Sequence, residues 1–100
     1  MELIVSEVTP EEALATFVAT GGKPVLVLPG SIAGGLITNP AAATEPLYVN
    51  PVKPPGLVAN GSTVALQPGD SWNMIPGQLS GTYVNAESNG HLFSAVLVGI

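Results

Sequence analysis

The chain has 100 residues and a mass of 10.1 kDa, enough for one compact domain with a single core. Only 9% of its residues are charged against 46% hydrophobic, whereas ordinary soluble domains carry roughly 25% charged residues at a similar apolar share. A net charge of −5 with Lys23 and Lys53 as the only cations argues against nucleic acid or an anionic membrane as partner, and the absence of cysteine excludes disulfide scaffolds, zinc fingers and thiol nucleophiles.

Area scaling gives a folded chain of this mass about 5,300 Å² of surface, so nine charges supply about one per 600 Å². Either neutral Thr, Ser, Asn and Gln dress the remainder, or another protein covers part of it. No stretch approaches the ~20 apolar residues of a membrane span. The start, Met1-Glu2-Leu3-Ile4, lacks the positive region of a secretory signal.

In chain order the first strand candidate is Leu3–Ser6. Thr9-Pro10-Glu11-Glu12 then reads as a capping box with proline at the first helical position. Ala13, Leu14, Phe17 and Val18 follow a 3.6-residue period until Gly21 and Gly22 stop it, which predicts one short helix over about residues 10–20. Its apolar stripe plugs one end of the sandwich or docks on a partner.

The rest of the chain carries the punctuation of an all-β domain. Strands are expected at Val25–Leu28, Gly35–Thr38, Pro46–Asn50, Ser62–Leu66, Trp72–Met74, Gly81–Asn85 and Leu92–Val98. Pro29-Gly30, Pro55-Gly56, Pro68-Gly69 and Pro76-Gly77 mark chain reversals, because proline presets a negative φ and glycine accepts a positive one. Residues 51–61, with three prolines, read as an exposed loop. Tyr48-Val49-Asn50 and Tyr83-Val84-Asn85 echo each other, as two strands meeting the same packing problem. Leu92–Ile100 is apolar on both faces, which suits a central strand or one buried by a neighbour. The expected fold is mainly β: an antiparallel sandwich or jelly-roll-like barrel of about seven or eight short strands with one N-terminal helix. It forms a single domain over 1–100, with 36–100 as the sandwich core and 1–35 as a segment that adds strands or reaches out as an arm.

Catalytic patterns are sparse. His91 is the only imidazole, and Asn89-Gly90-His91 reads as a hairpin turn that leaves this histidine at the surface or an interface. A Ser71, His91, Asp70 set can be written, but no nucleophile elbow surrounds any serine. Glu87 with His91 is a thin metal pair without a ligand cluster. The glycines of Gly30-Ser31-Ile32-Ala33-Gly34-Gly35 lack phosphate-loop spacing, and Glu45, Asp70 and Glu87 carry no glycosidase signature. No catalytic residue, metal site or cofactor is expected. Tyr48, Trp72 and Tyr83 are the aromatics a sugar platform would use, and more commonly they serve as core or interface anchors.

From residue 36 onward one order of features stands out: Ile37-Thr38-Asn39-Pro40, Glu45-Pro46-Leu47-Tyr48-Val49, an exposed loop, then Val64-Ala65-Leu66-Gln67-Pro68-Gly69-Asp70-Ser71-Trp72. It resembles small β-sandwich decoration (cement) proteins of tailed-bacteriophage heads and related fibre-base modules, over about two-thirds of the chain. The resemblance implies a structural virion protein that binds the outer capsid surface through apolar interfaces. Its partners would be the major capsid protein and other copies of itself, with a homo-trimer favoured. It would be made in the host cytoplasm and located on the virion. Standard interfaces bury about 800 Å² per partner, about 15% of the estimated surface. The expected interface residues are Leu14, Phe17, Val18, Tyr48, Trp72, Tyr83 and Phe93. The alternative is a fibre- or spike-associated module that binds carbohydrate or receptor.

Overall fold

The structure is a computed structural model that describes residues 9–30, 34–75, 78 and 80–99. Among them are ten β-strands and no helix: β1 (Thr9–Glu12), β2 (Phe17–Val18), β3 (Val25–Leu28), β4 (Gly34–Thr38), β5 (Leu47–Asn50), β6 (Val64–Leu66), β7 (Ser71–Met74), β8 (Thr82–Asn85), β9 (His91–Leu92) and β10 (Ser94–Gly99). They form a four-stranded sheet in the order β1-β10-β4-β7, a second in the order β3-β8-β5-β6, and a two-stranded ribbon β2-β9. Every pairing is antiparallel.

The core joins side chains from both sheets: Val27 and Leu28 of β3, Leu47 and Val49 of β5, Leu66 of β6 and Val84 of β8 meet Ile37 of β4 and Met74 of β7. The result is sandwich-like. At Gly35 the layers come so close that a Cβ would lie 2.7 Å from Leu28 Cδ1 and 3.0 Å from the Val96 carbonyl, so the missing side chain sets the spacing.

The repeated Tyr-Val-Asn triplets lie side by side in register, with Tyr48 opposite Asn85, Val49 opposite Val84 and Asn50 opposite Tyr83. Both valines are fully buried and both tyrosines half-buried. Each buried asparagine ties down a loop. Asn50 Oδ1 accepts from the Val52 and Lys53 amides and from Ser62 Oγ, while its Nδ2 donates to Thr63 Oγ1. Asn85 Nδ2 donates to the Pro55 carbonyl. The 51–61 segment, which contains no strand, is thus anchored from both central strands of its sheet.

Three expectations need correction. The helix over residues 10–20 is not formed: Thr9–Glu12 is a strand paired with β10, and Phe17–Val18 pairs with β9. An isolated helix of that length is marginal in water, and β10 is held as an inner strand by β1 on one side and β4 on the other. Pro10 is compatible with this edge position. The sheets do not close into a barrel; each keeps two outer strands. The last apolar segment is divided at Phe93 into β9 and β10, which belong to different sheets. The candidate strand Leu3–Ser6 and the Pro76-Gly77 turn lie outside the described residues.

The Pro68-Gly69 turn forms as expected. Gly69 has φ 90°, the Asp70 amide donates to the Gln67 carbonyl at 2.9 Å, and Gly69 acts as the positive-φ residue of a bulge opposite Asn39.

Candidate functional site

His91 is the centre of a largely buried polar cluster. On β9 it pairs with Val18 of β2, and Leu92 pairs with Phe17. Strand alternation sends the two pairs to opposite faces. Val18 and His91 are buried, whereas Phe17 is 48% and Leu92 69% exposed.

The buried face places His91 between two acceptors. Its Nδ1 lies 3.0 Å from Glu45 Oε1 and its Nε2 lies 2.8 Å from Asn39 Oδ1. The Asn39 amide is fixed, because Nδ2 donates to the carbonyls of Leu66 (2.9 Å) and Glu45 (3.0 Å), which leaves Oδ1 to face the ring. Glu45 also accepts from the Ser88 amide at 3.1 Å and from Ser88 Oγ at 2.9 Å. Burial, the largest influence on the Glu45 carboxyl, acts to raise its pKa. Hydrogen bonds from His91 and Ser88, together with the charge of His91, outweigh it and hold the pKa below its ordinary value. Each ring nitrogen therefore faces a side-chain oxygen.

The chemistry of this arrangement is clamping. It ties the end of β4, the 40–45 turn, β6 and the β8–β9 turn together through side chains far apart in sequence. The Ser88 hydroxyl donates to the carboxylate, not to the imidazole, so the ring does not activate it. Ser71, Asp70 and His91 have separate partners: Ser71 Oγ pairs with Thr38 Oγ1, Asp70 Oδ2 accepts from the Gln67 amide, and His91 is held by Glu45 and Asn39. The expected position of His91 at the surface or an interface is corrected to a buried one, and the carboxylate beside it is Glu45, not the Glu87 of the thin metal pair. Among the described residues no group of three or more His, Cys, Asp or Glu side chains could hold a metal ion.

Above the clamp lies an open cleft of about 340 Å³ lined by Pro40, Ala42, Ala43, Thr44, Glu45, Ser88, Gly90, His91 and Leu92. Leu92 connects it to the exposed Phe17–Leu92 pair, whose side chains share the outer face of the ribbon. This cleft and its apolar shoulder are the candidate site.

The expected interface residues divide into three groups. Leu14 (61% exposed) and Phe17 stand at the surface. Tyr48, Trp72 and Tyr83 are half-buried, and Trp72 packs against the core. Val18 and Phe93, at 0% and 5% exposure, are core residues with no face to offer a partner. Leu92 was expected only as part of the terminal apolar run, and its strand alternation with the buried His91 puts it outside. Asn39 and Ser88 escaped sequence reasoning because no local spacing links them to His91.

No family model matches the chain, and neither a curated protein nor a solved structure is significantly similar to it.

Proposed function

We propose that this chain is a structural virion protein, a decoration or cement protein that binds the outer surface of a tailed-phage capsid and contacts the major capsid protein and copies of itself. The observation that carries this reading is the exposed Phe17–Leu92 pair beside the Pro40, Ala42, Ala43 cleft. It is an apolar shoulder on a chain in which 9% of residues are charged. Such a surface gains from being covered. The clamp beneath it contributes rigidity, because Glu45, Asn39 and Ser88 hold both walls of the cleft in place, so little ordering cost remains to be met on binding.

The test is co-sedimentation of the purified chain with empty tailed-phage shells stripped of their decoration proteins. The native chain is expected to pellet with the shells and the Phe17→Thr, Leu92→Thr double variant to remain in the supernatant. Equal pelleting of both, or of neither, overturns the reading. Binding to a glycan array without binding to shells would replace it with the receptor-binding alternative.

A further inference from the structure

The two four-stranded sheets have four outer strands, β1, β7, β3 and β6, and three of them are blunted. In β1, Pro10 lacks an N–H and is followed by Glu11 and Glu12, an arrangement that discourages strand addition. In β3 the ladder is irregular between Leu26 and Leu28, and the Val27 carbonyl already accepts from the Leu14 amide at 2.9 Å. β6 has three residues, and its Leu66 carbonyl is taken by Asn39 Nδ2. The ribbon strands β2 and β9 have two residues each. β7, with the sequence Ser71-Trp72-Asn73-Met74, has no proline, no charge and no bulge within it.

The register shows which of its backbone groups point outward. The Asn39 amide donates to the Asp70 carbonyl at 2.9 Å and the Gly69 amide to the Asn39 carbonyl at 2.7 Å, so this end of the ladder is hydrogen-bonded. Alternation along the antiparallel pair then makes Ile37–Trp72 and Gly35–Met74 the bonded pairs, with Thr38–Ser71 and Leu36–Asn73 unbonded. The 2.7 Å contact between Thr38 Oγ1 and Ser71 Oγ agrees, since side chains approach more closely at an unbonded pair. The N–H and C=O groups of Ser71 and Asn73 therefore face away from β4, and no described strand pairs with them.

We infer that this edge pairs with the same edge of a second copy, antiparallel about a two-fold axis at Trp72. In that register Ser71 stands opposite Asn73 of the second copy, and the two amides and two carbonyls of each chain form four hydrogen bonds. The two Trp72 side chains, half-buried in each chain alone, become a close cross-strand pair. Asp70 falls opposite Met74 of the other copy, so no like charges oppose each other despite the net charge of −5. A three-fold ring built by strand addition would need a second, different open edge, and the other edges are blunted. The product is a dimer, not the trimer that the resemblance implies. This inference does not rest on shell binding.

The test uses the full chain. Native mass and sedimentation measurements across a concentration series are expected to show a monomer–dimer equilibrium. Amide exchange is expected to be slow at Trp72 and Met74 at every concentration, and at Ser71 and Asn73 only where the dimer is populated. Asn73→Pro removes an outward N–H without removing a β4–β7 bond, and it should weaken association by about tenfold or more. The Phe17→Thr, Leu92→Thr variant should dimerise unchanged, which keeps a failure of the shell reading distinct from a failure of this one. A monomer at all concentrations overturns the inference. So does an oligomer in which the Ser71 and Asn73 amides exchange as fast as in the dilute chain, or protection of those amides only when a foreign chain is added. If Asn73→Pro does not fold by circular dichroism, the exchange pattern of the native chain decides alone.

Discussion

Asn39→Ala is expected to be among the most damaging single substitutions in this chain. Asn39 is fully buried and makes three side-chain hydrogen bonds, to the Leu66 and Glu45 carbonyls and from His91 Nε2. Truncation leaves the Leu66 carbonyl and His91 Nε2 as buried groups without partners, at about 1–3 kcal/mol each. The partly buried Glu45 carbonyl recovers much of its loss from water. The sum is about 2–6 kcal/mol, a large share of the roughly 5–15 kcal/mol total stability of a domain. For a chain of this length each kcal/mol lowers Tm by about 4–8 °C, so a drop of at least about 8 °C is expected in thermal denaturation followed by circular dichroism. Asn39→Asp tests the same logic with little change of shape. The new carboxylate oxygen faces the Leu66 and Glu45 carbonyls, and its loss should be at least as large even though it keeps an acceptor for His91. A loss under about 1 kcal/mol for Asn39→Ala in urea titration, or a neutral Asn39→Asp, would refute the clamp.

Other outcomes follow from the same geometry. The Glu45 carboxyl has its pKa depressed below the ordinary 4.5 in the folded chain, so its contribution to stability is present above about that pH and is lost as pH falls through the folded value. Glu45→Gln should flatten that acid limb in stability measured against pH, and an unchanged limb would contradict the assignment. Gly69→Ala introduces a side chain at φ 90° and should cost about 1–2 kcal/mol, read by urea titration, since the nearest neighbour of the added Cβ, Ala41 Cβ at 4.0 Å, makes an ordinary contact and no clash. The Phe17→Thr, Leu92→Thr variant should change stability by only about 0.5 kcal/mol per site while lowering binding of a hydrophobic dye.

Where local chemistry dictates the backbone, the sequence was readable. Val25–Leu28 is strand β3 as expected, the Pro68-Gly69 turn has its positive-φ glycine, and the Tyr-Val-Asn echo proved to be two neighbouring strands in mutual register. The misreading at residues 10–20 has the same origin: the capping box is a local signal, and a strand contact with β10, more than 80 positions away in the chain, overrode it. The His91 cluster was illegible for a related reason. Its partners Glu45 and Asn39 lie 46 and 52 positions away, and only the tertiary fold, which brings the segment between β4 and β5 against β9, unites them. A lone histidine after an Asn-Gly turn carries no mark of a buried partner.

The scarcity of charge takes on a different meaning once the polar residues are placed. A neutral coat of Asn and Thr was one way to keep so apolar a chain wetted, yet Asn39, Asn50, Asn85, Thr63 and Thr82 are buried, where most of them hold loops and the ends of strands. Those side chains are committed to the interior because the loops are proline-rich and supply few backbone hydrogen bonds of their own. The surface is left with Leu14, Phe17, Val52, Val58, Val64, Ile75 and Leu92 exposed. Singly, exposed hydrophobic residues are ordinary. Phe17 and Leu92 are different because strand pairing fixes them side by side at the mouth of a cleft whose walls are tied together by the buried Asn39 amide and the partly buried Glu45 carboxylate. The same neutral side chains that stiffen the fold thereby thin its polar surface, and the place where stiffness and exposed apolar area coincide is where a covering chain gains most.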